Sequence, residues 1–547
     1  MSGGEPARLS LNPSPATRRI VCSLAILAVA AQPACAVAPG ANFQCAPTCP
    51  TTEAQSYFKP SVGRYGFLPP PPASVRCLPP VEERAVDRRS CPTLPGGCDF
   101  SPDPAYWCDE YDPCAALDVY AGRYNVPVQR PLVEWGLPFY DLGPIPKTET
   151  WCGPTNPVQQ KFYVYGDYRI GAAVNQDVNR QADVLAARLN LELDYWITST
   201  ERFHAFSGPL QDGNNFTRIE NGDFKNEIDF WSADTDTLFF EGDLGQMLGG
   251  WEHTYAPFDM PVTVGLIPML FQNGTWMLDA FWGAAVTLPA RNNPWLDWSN
   301  YDITFFAAFD QVSTDAFANS LHTGSLFGAT TFIEARGGYF EVGYAYAADD
   351  EDVGRDYHNL GLSYTRRYLG RVSNSVRAII NTGQSGPRDQ RTADGVLLLM
   401  ENSLITENPY YVIPYVNLFA GIGSPQPAAR AAAAGGVLFN TGILFQSDAL
   451  TGYPTLDATG NNTVGGSIGL DLLGAPNFDQ QLIVEAAALH TFGDKATRNA
   501  PGPQYGLGLR WQLPITNAYL IRCDAMHGWL ENSRDISGVR GELRWKF

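Results

Sequence analysis

The sequence predicts an all-β protein, an antiparallel β-barrel whose strands cross a membrane. Three observations carry this. Apolar and polar residues alternate with period two from about Phe162 onward, the alternating runs reach about 10–12 residues, and the last run ends on the terminal residue. The expected count is about 18 strands, with 16 as the alternative.

The alternation is explicit in several places. Leu189, Leu191, Leu193, Tyr195 and Ile197 share one strand face, and Arg188, Asn190, Glu192, Asp194 and Trp196 the other. Tyr505, Leu507, Leu509, Trp511 and Leu513 alternate in the same way with Gln504, Gly506, Gly508, Arg510 and Gln512. A soluble sandwich also alternates, but its strands average about half this length. Aromatics make up 12% of the chain and cluster toward the ends of these runs, as at Tyr163, Tyr165, Tyr411 and Trp529. Interfacial girdles around a membrane barrel have this placement.

The C-terminal run is the sharpest. Val539, Gly541, Leu543, Trp545 and Phe547 occupy alternate positions, with Arg540, Glu542, Arg544 and Lys546 between them. In a barrel the first set meets lipid and the second meets the lumen. This ending resembles the terminal assembly signal of Gram-negative outer-membrane barrels, with a final Phe and an aromatic two residues earlier. The resemblance implies an outer-membrane, porin-like barrel, with outer-membrane lipid and the barrel-assembly machinery as partners. A second, shorter resemblance lies in the run Arg188-Leu-Asn-Leu-Glu-Leu-Asp-Tyr195 followed by Thr200-Glu-Arg-Phe-His-Ala-Phe206. It looks like the early strands of alginate-export barrels, and implies an anionic polysaccharide as an alternative cargo.

The N-terminus carries its own signals. Arg18 and Arg19 precede an apolar stretch from Ile20 to Ala31, and Ala34-Cys35-Ala36 gives a small-residue cleavage site. Residues 1–36 are therefore expected to be a secretory signal, because a run of about a dozen apolar residues is too short to span a bilayer. Residues 37–157 are rich in Cys and Pro and are expected in the periplasm. Cys45, Cys49, Cys77, Cys91, Cys98, Cys108, Cys114 and Cys152 fall in this segment. An even number of cysteines in an exported, loop-rich segment reads as a disulfide framework, of undetermined connectivity.

The barrel itself is assigned to 158–547. Working back from a periplasmic C-terminus, short turns and long loops alternate sides only if 421–460 is one long excursion and Val437 to Gln446 is not a membrane strand. On this count eleven strands follow Gly328 and about seven precede it. Turns between Asp223 and Asn300 do not sort by length.

Function follows from the polar face. Lumen-lining candidates are Arg169, Arg188, Glu192, Asp194, Arg336, Arg377, Arg510, Arg522, Asp524, Arg540 and Arg544, with Glu341 and Glu485 among further carboxylates. Mixed charge in a wide barrel suits a water-filled channel for small polar solutes. An exporter of an anionic polymer and a structural barrel anchoring the Cys-rich segment are the alternatives, and a homo-oligomer is compatible with all three. The net charge of −20 and the lack of a basic stripe exclude a nucleic-acid partner. No nucleophile elbow, zinc motif or phosphate loop occurs, so neither an enzyme nor a metal or cofactor site is expected. Asp349, Asp350, Glu351 and Asp352 lack the spacing of a calcium loop and read as a solvated acidic turn.

Overall fold

The computed structural model describes residues 130–136, 158–213, 215–228, 234–252, 256–317, 322, 324–406, 411–474, 480–493 and 501–547, all within one compact unit. The expected signal at 1–36 and the cysteines from Cys45 to Cys152 lie outside the described residues, as does His253.

Eighteen strands form the wall. The first six are β1 (Val158–Gln176), β2 (Gln181–Thr198), β3 (Arg202–Gly208), β4 (Asp234–Asp243), β5 (Pro261–Phe271) and β6 (Met277–Asn293). Next come β7 (Trp298–Asp310), β8 (Gly324–Ala335), β9 (Gly338–Asp349), β10 (Tyr357–Tyr368), β11 (Val372–Thr382) and β12 (Asp394–Leu404). The last six are β13 (Val412–Ser424), β14 (Thr463–Leu473), β15 (Gln481–Thr491), β16 (Gln504–Pro514), β17 (Tyr519–Leu530) and β18 (Ile536–Lys546). Each pairs antiparallel with the next, and β1 closes the ring on β18 from Asp167↔Lys546 to Gln176↔Ser537. Closure leaves no open edge, so the wall's backbone groups are satisfied within it. The count is 18, not 16; β8, which contains Gly328, begins the last eleven.

Side-chain exposure separates the two faces. Val539 is 60% exposed and its neighbour Arg540 only 3%. Val264, Leu398, Ile468 and Leu507 repeat the exposed apolar pattern around the ring. An apolar outer belt over a polar inner face is the arrangement of a membrane-spanning barrel. At the seam the Phe547 N–H donates to the Gly166 carbonyl at 3.0 Å, and Gly166 returns the bond at 2.9 Å. Trp545 lies 6.2 Å from Tyr519 and 5.2 Å from Phe547, ring to ring. The terminal residues thus complete the closing ladder.

The end bearing Phe547 is here the lower end. Its connections are mostly short, and the one at Arg336–Gly337 has both residues left-handed, at φ 58° and 71°. That is the type I′ geometry that matches strand twist. The upper β1–β2 link, residues 177–180, is also short, and two further connections break the asymmetry in the region where the sequence does not sort. The lower link after β4 carries a helix, α1 (Leu244–Trp251), which the alternation gave no hint of. Asp243 starts it: its carboxylate accepts from the Gln246 N–H at 2.9 Å and the Met260 N–H at 3.1 Å, an N-cap. The upper link between β5 and β6 is short because it folds inward.

Strand lengths also depart from expectation. β1, β2 and β6 run to 19, 18 and 17 residues. The lower part of β1, below the seam with β18, gains another partner: Val133–Gly136 pairs there with Lys161–Val164. β3 has only seven residues, because beyond Gly208 the chain leaves the wall and Arg218–Glu220 takes over pairing with β2.

Candidate functional site: a charged lumen and an inward-folded segment

Between β13 and β14 the chain does not cross the membrane. Residues 425–462 pack against the inner face instead, built from short turns such as Phe439–Thr441 and Ile443–Phe445. Val437 to Gln446 is thus not a wall strand. Gly421 and Gly460 lie so close that a Cβ on Gly421 would meet the Gly460 carbonyl, so both limbs leave from one point of the wall.

One side of the segment is seated by close apolar packing. Ala429 and Arg430 pair with Met277 and Leu278 of β6 in a short parallel ladder. Leu438, Leu444 and Phe445 are buried in one cluster with Ile379, Leu397, Leu399 and Phe419 of the wall. The inward β5–β6 turn brings Trp276 into the same cluster, where its indole N–H donates to Asn359 Oδ1 at 2.8 Å. Gly343 and Gly361 make room for it: a Cβ at either would fall within 2.5 Å of the indole. Gln426 closes this side, donating to Asn381 Oδ1 at 2.8 Å and accepting from the Asn359 and Asn381 amides at 2.9 and 3.0 Å.

Among the described residues, Arg430 is buried here without a carboxylate partner. It donates to the carbonyls of Gly435 at 2.5 Å, Ala434 at 2.8 Å and Gly274, and stacks over Phe439. Burial lowers its pKa to about 10, so it remains a cation at neutral pH.

The opposite side is seated by charge. Glu485 of β15 accepts from the Ile443 and Leu444 N–H groups, each at 2.9 Å, and from the Tyr415 hydroxyl at 2.5 Å. Asn417 and Ser467 donate to the Thr441 carbonyl at 2.7 and 2.6 Å. Asp448 pairs with Arg540 and stands 3.8 Å from Arg169. Burial works to raise the Asp448 pKa, but Arg540, the Thr451 hydroxyl and Arg169 together hold it below the ordinary carboxylate value. Asn175 donates to the Thr451 and Gly452 carbonyls at 2.7 and 3.1 Å. Tyr453 lies under the Arg540 guanidinium, 5.1 Å from ring centre to cation.

The sequence-derived candidates fall into groups around this latch. Asp524 is surrounded by Arg510, Arg522 and Arg540, with nitrogens at 2.7, 2.8 and 2.8 Å. Arg169 grips Glu542 with two bonds of 2.7 and 2.8 Å, and Arg544 grips Asp167 with two of 2.9 Å. Glu192 and Asp194 form a separate cluster on β2. His204 contacts them at 3.1 and 2.9 Å, and Asp194 also takes Arg202 at 3.1 Å and the Tyr165 hydroxyl at 2.7 Å. Arg188 lies over Phe206 and Phe216, and Arg377 pairs with Glu401. Arg336 joins none of these, because it sits exposed at the tip of a lower hairpin.

Other residues weighed from the sequence have local partners. Asp352 caps a turn through the Gly354 N–H at 2.9 Å, and Arg355 lies near Asp349 and Asp352. His322 pairs with Asp310 at 2.8 Å. Cys523 lies half-buried beside its β16 partner Trp511. Among the described residues no group of three or more His, Cys, Asp or Glu is placed to hold a metal ion.

Asp448, Trp276 and Asn175 were not singled out from the sequence. A signal for the inward segment as a whole, though not for these three residues, existed in the inward stripe of β16. Gly506 and Gly508 alternate there with outward Tyr505 and Leu507, and a Cβ at Gly508 would stand 3.0 Å from Leu444. Glycines on a lumen face announce something packed against it.

No protein-family model matches the sequence, the alginate-export type included, and comparison with curated proteins finds no match. Solved structures resemble it at low identity. OccK5 (OpdH) of Pseudomonas aeruginosa is 12% identical with a TM-score of 0.46, over 71% of this chain and 98% of that one. The outer membrane protein OpdK of the same organism is 11% identical with a TM-score of 0.44, over 70% and 98%. Wzi of Escherichia coli, described as an outer membrane, carbohydrate-binding β-barrel involved in group 1 capsule assembly, is 13% identical with a TM-score of 0.41, over 70% and 85%. At this level the functional reading has to come from the chain's own geometry.

Proposed function

We propose that the protein is an outer-membrane channel for small hydrophilic solutes, with the Phe547 end in the periplasm and the inward-folded segment as its constriction. The observation that carries this is the inner face. A closed ring of 18 strands holds paired charges facing inward, and the segment is latched to them through Glu485, Asn175 and Asp448. A barrel of this strand number encloses more space than its own wall side chains fill, so an inserted segment sets the aperture. The mixed charges keep the remaining path hydrated and favour small polar solutes.

The arginine-rich stretch from β16 to β2 does not favour an anionic polymer. Asp524, Glu542, Asp167 and Asp448 counter its cations at close range. The depth of packing at Trp276, Leu438 and Phe445 does favour a second reading, a sealed barrel that anchors the Cys-rich segment. Planar-bilayer recordings separate the two. Stable single-channel steps in KCl, with solute-size-limited swelling of liposomes, support the channel; a reconstituted barrel that never conducts supports the anchor.

A further inference from the structure

The outer face of the wall does not stop at the seam. The ladder with β18 ends where Phe547 meets Gly166, but β1 continues down to Val158, and Val133–Gly136 lies beside it there, in line with β18. Trp135, Phe162 of β1, Tyr195 of β2, Phe203 of β3 and Phe240 of β4 stand directly opposite one another across these strands. The Phe203 and Phe240 rings are 5.2 Å apart. Val133, Val164, Leu193, Ala205 and Leu238 form a second row beside the first on the same face. The aromatic row continues through Val264 and Phe327 to Thr382, at the upper end of β11. It therefore descends obliquely around the barrel, as tilted strands require, and Trp135 is its lowest member. At about 3.3 Å per residue along a tilted strand, Phe162 and Trp135 lie roughly 10 Å below Gly166.

The two faces of this lower apron differ in kind. Inward, Arg130 grips Glu134 with two bonds of 2.9 Å, Lys161 lies 4.6 Å from the Trp196 ring centre, and Arg202 pairs with Asp194 at 3.1 Å. Outward, both rows are uncharged from Val133 and Trp135 to Leu238 and Phe240, and Trp135, Phe203 and Val133 are 56%, 46% and 44% exposed. An apolar face of this extent marks a contact surface. Continuity names the contact: the same two rows are the lipid-facing side of β2 to β4, so the bilayer that covers them there covers their lower end. The opposite rim differs. Arg366, Asn374 and Asn402 take outward positions near the lower ends of β10, β11 and β12. Among the described residues Val133–Gly136 pairs with β1 alone, and its free edge limits the depth. Unpaired backbone is satisfied among hydrated headgroups but not in hydrocarbon. We propose that the apron docks on the phospholipid headgroup layer of the leaflet at the Phe547 end, periplasmic in the orientation given above, and seats the barrel deeper on its β1–β4 side than on its β10–β12 side. The proposal goes beyond the channel reading and holds whether or not the lumen conducts.

The test is photocrosslinking of the full-length protein in vesicles of phosphatidylethanolamine and phosphatidylglycerol, with p-benzoylphenylalanine placed at one position at a time and the adducts identified by mass. Trp135 and Phe162 probe the apron. Leu509, in the middle of β16, is the belt reference, and Leu369, 89% exposed at the lower β10–β11 turn, probes the opposite rim. Heat-modifiable migration on gels checks the folding of each protein. Phospholipid adducts at Trp135 and Phe162 should reach at least about a third of the Leu509 yield and exceed the Leu369 yield by about fivefold or more. Lipid adducts at Leu369 as abundant as those at Trp135 would overturn the deeper seating. Lipid adducts at Leu509 with none at Trp135 and Phe162 would overturn the docking surface. So would cross-links from Trp135 and Phe162 to this chain's own residues or to a second copy in place of lipid, which would mean that protein covers the apron.

Discussion

The inward segment meets the wall on two sides by different physics. Toward β6 and β9–β13 the contact is apolar and fitted, with Trp276 set between Gly343 and Gly361 and with Phe445 and Leu438 against Leu397, Leu399 and Phe419. Toward β15–β18 and β1 a polar set, Glu485, Asn175 and the Asp448–Arg540 pair, is added to apolar packing such as Leu444 over Gly506 and Gly508. Close packing cannot give way without a cavity or a clash, whereas a charge pair depends on the ionisation of its members. The difference teaches that the segment is packed on both sides and carries a titratable latch on only one of them.

The largest effect should come from the fitted side. Trp276→Ala empties the space between Gly343 and Gly361 and is expected to cost about 3–5 kcal/mol, read as a lower denaturant midpoint in detergent. A loss under about 1 kcal/mol would mean that the indole is not a seat.

Asp448→Asn should cost less, about 1–3 kcal/mol, because Arg540 keeps Asp524 as a partner. Its sharper readout is electrical: more frequent open-channel fluctuations at neutral pH, with gel migration unchanged. Quiet records from the variant would show that the polar side does not hold the segment.

Acid should act on the same latch more weakly. The Asp448 pKa is depressed in the folded protein, so its contribution is fully present above the unfolded carboxylate pKa and is lost as pH falls through the folded value. Fluctuations should therefore stay flat from pH 7 to about 5 and rise only below about pH 4. A rise already at pH 6 would mean that Asp448 is not the group that holds the segment.

What the sequence made legible follows from where the information lies. The outer face is set by local periodicity and the membrane, so Val539, Leu543 and Trp545 could be assigned from spacing alone. Strand number followed from loop parity, and the parity required 421–460 to stay out of the wall. The inside resisted because its contacts are distant in sequence. Nothing local to Asp448 announces Arg540 or Arg169, and nothing near Trp276 announces the two glycines that seat it. Between Asp223 and Asn300 two rules fail together, since α1 lengthens a lower link and the inward fold at Trp276 shortens an upper one.

The most direct test is the single-channel conductance of the full-length protein beside a variant in which residues 426–459 are replaced by a short turn. Gly421 and Gly460 are close enough for that turn to join β13 to β14 without moving either strand. Both proteins should migrate as folded barrels, and the variant's conductance should rise several-fold, because the segment narrows the lumen. Equal conductance in two folded barrels would contradict the account, since it would mean that the segment does not set the aperture.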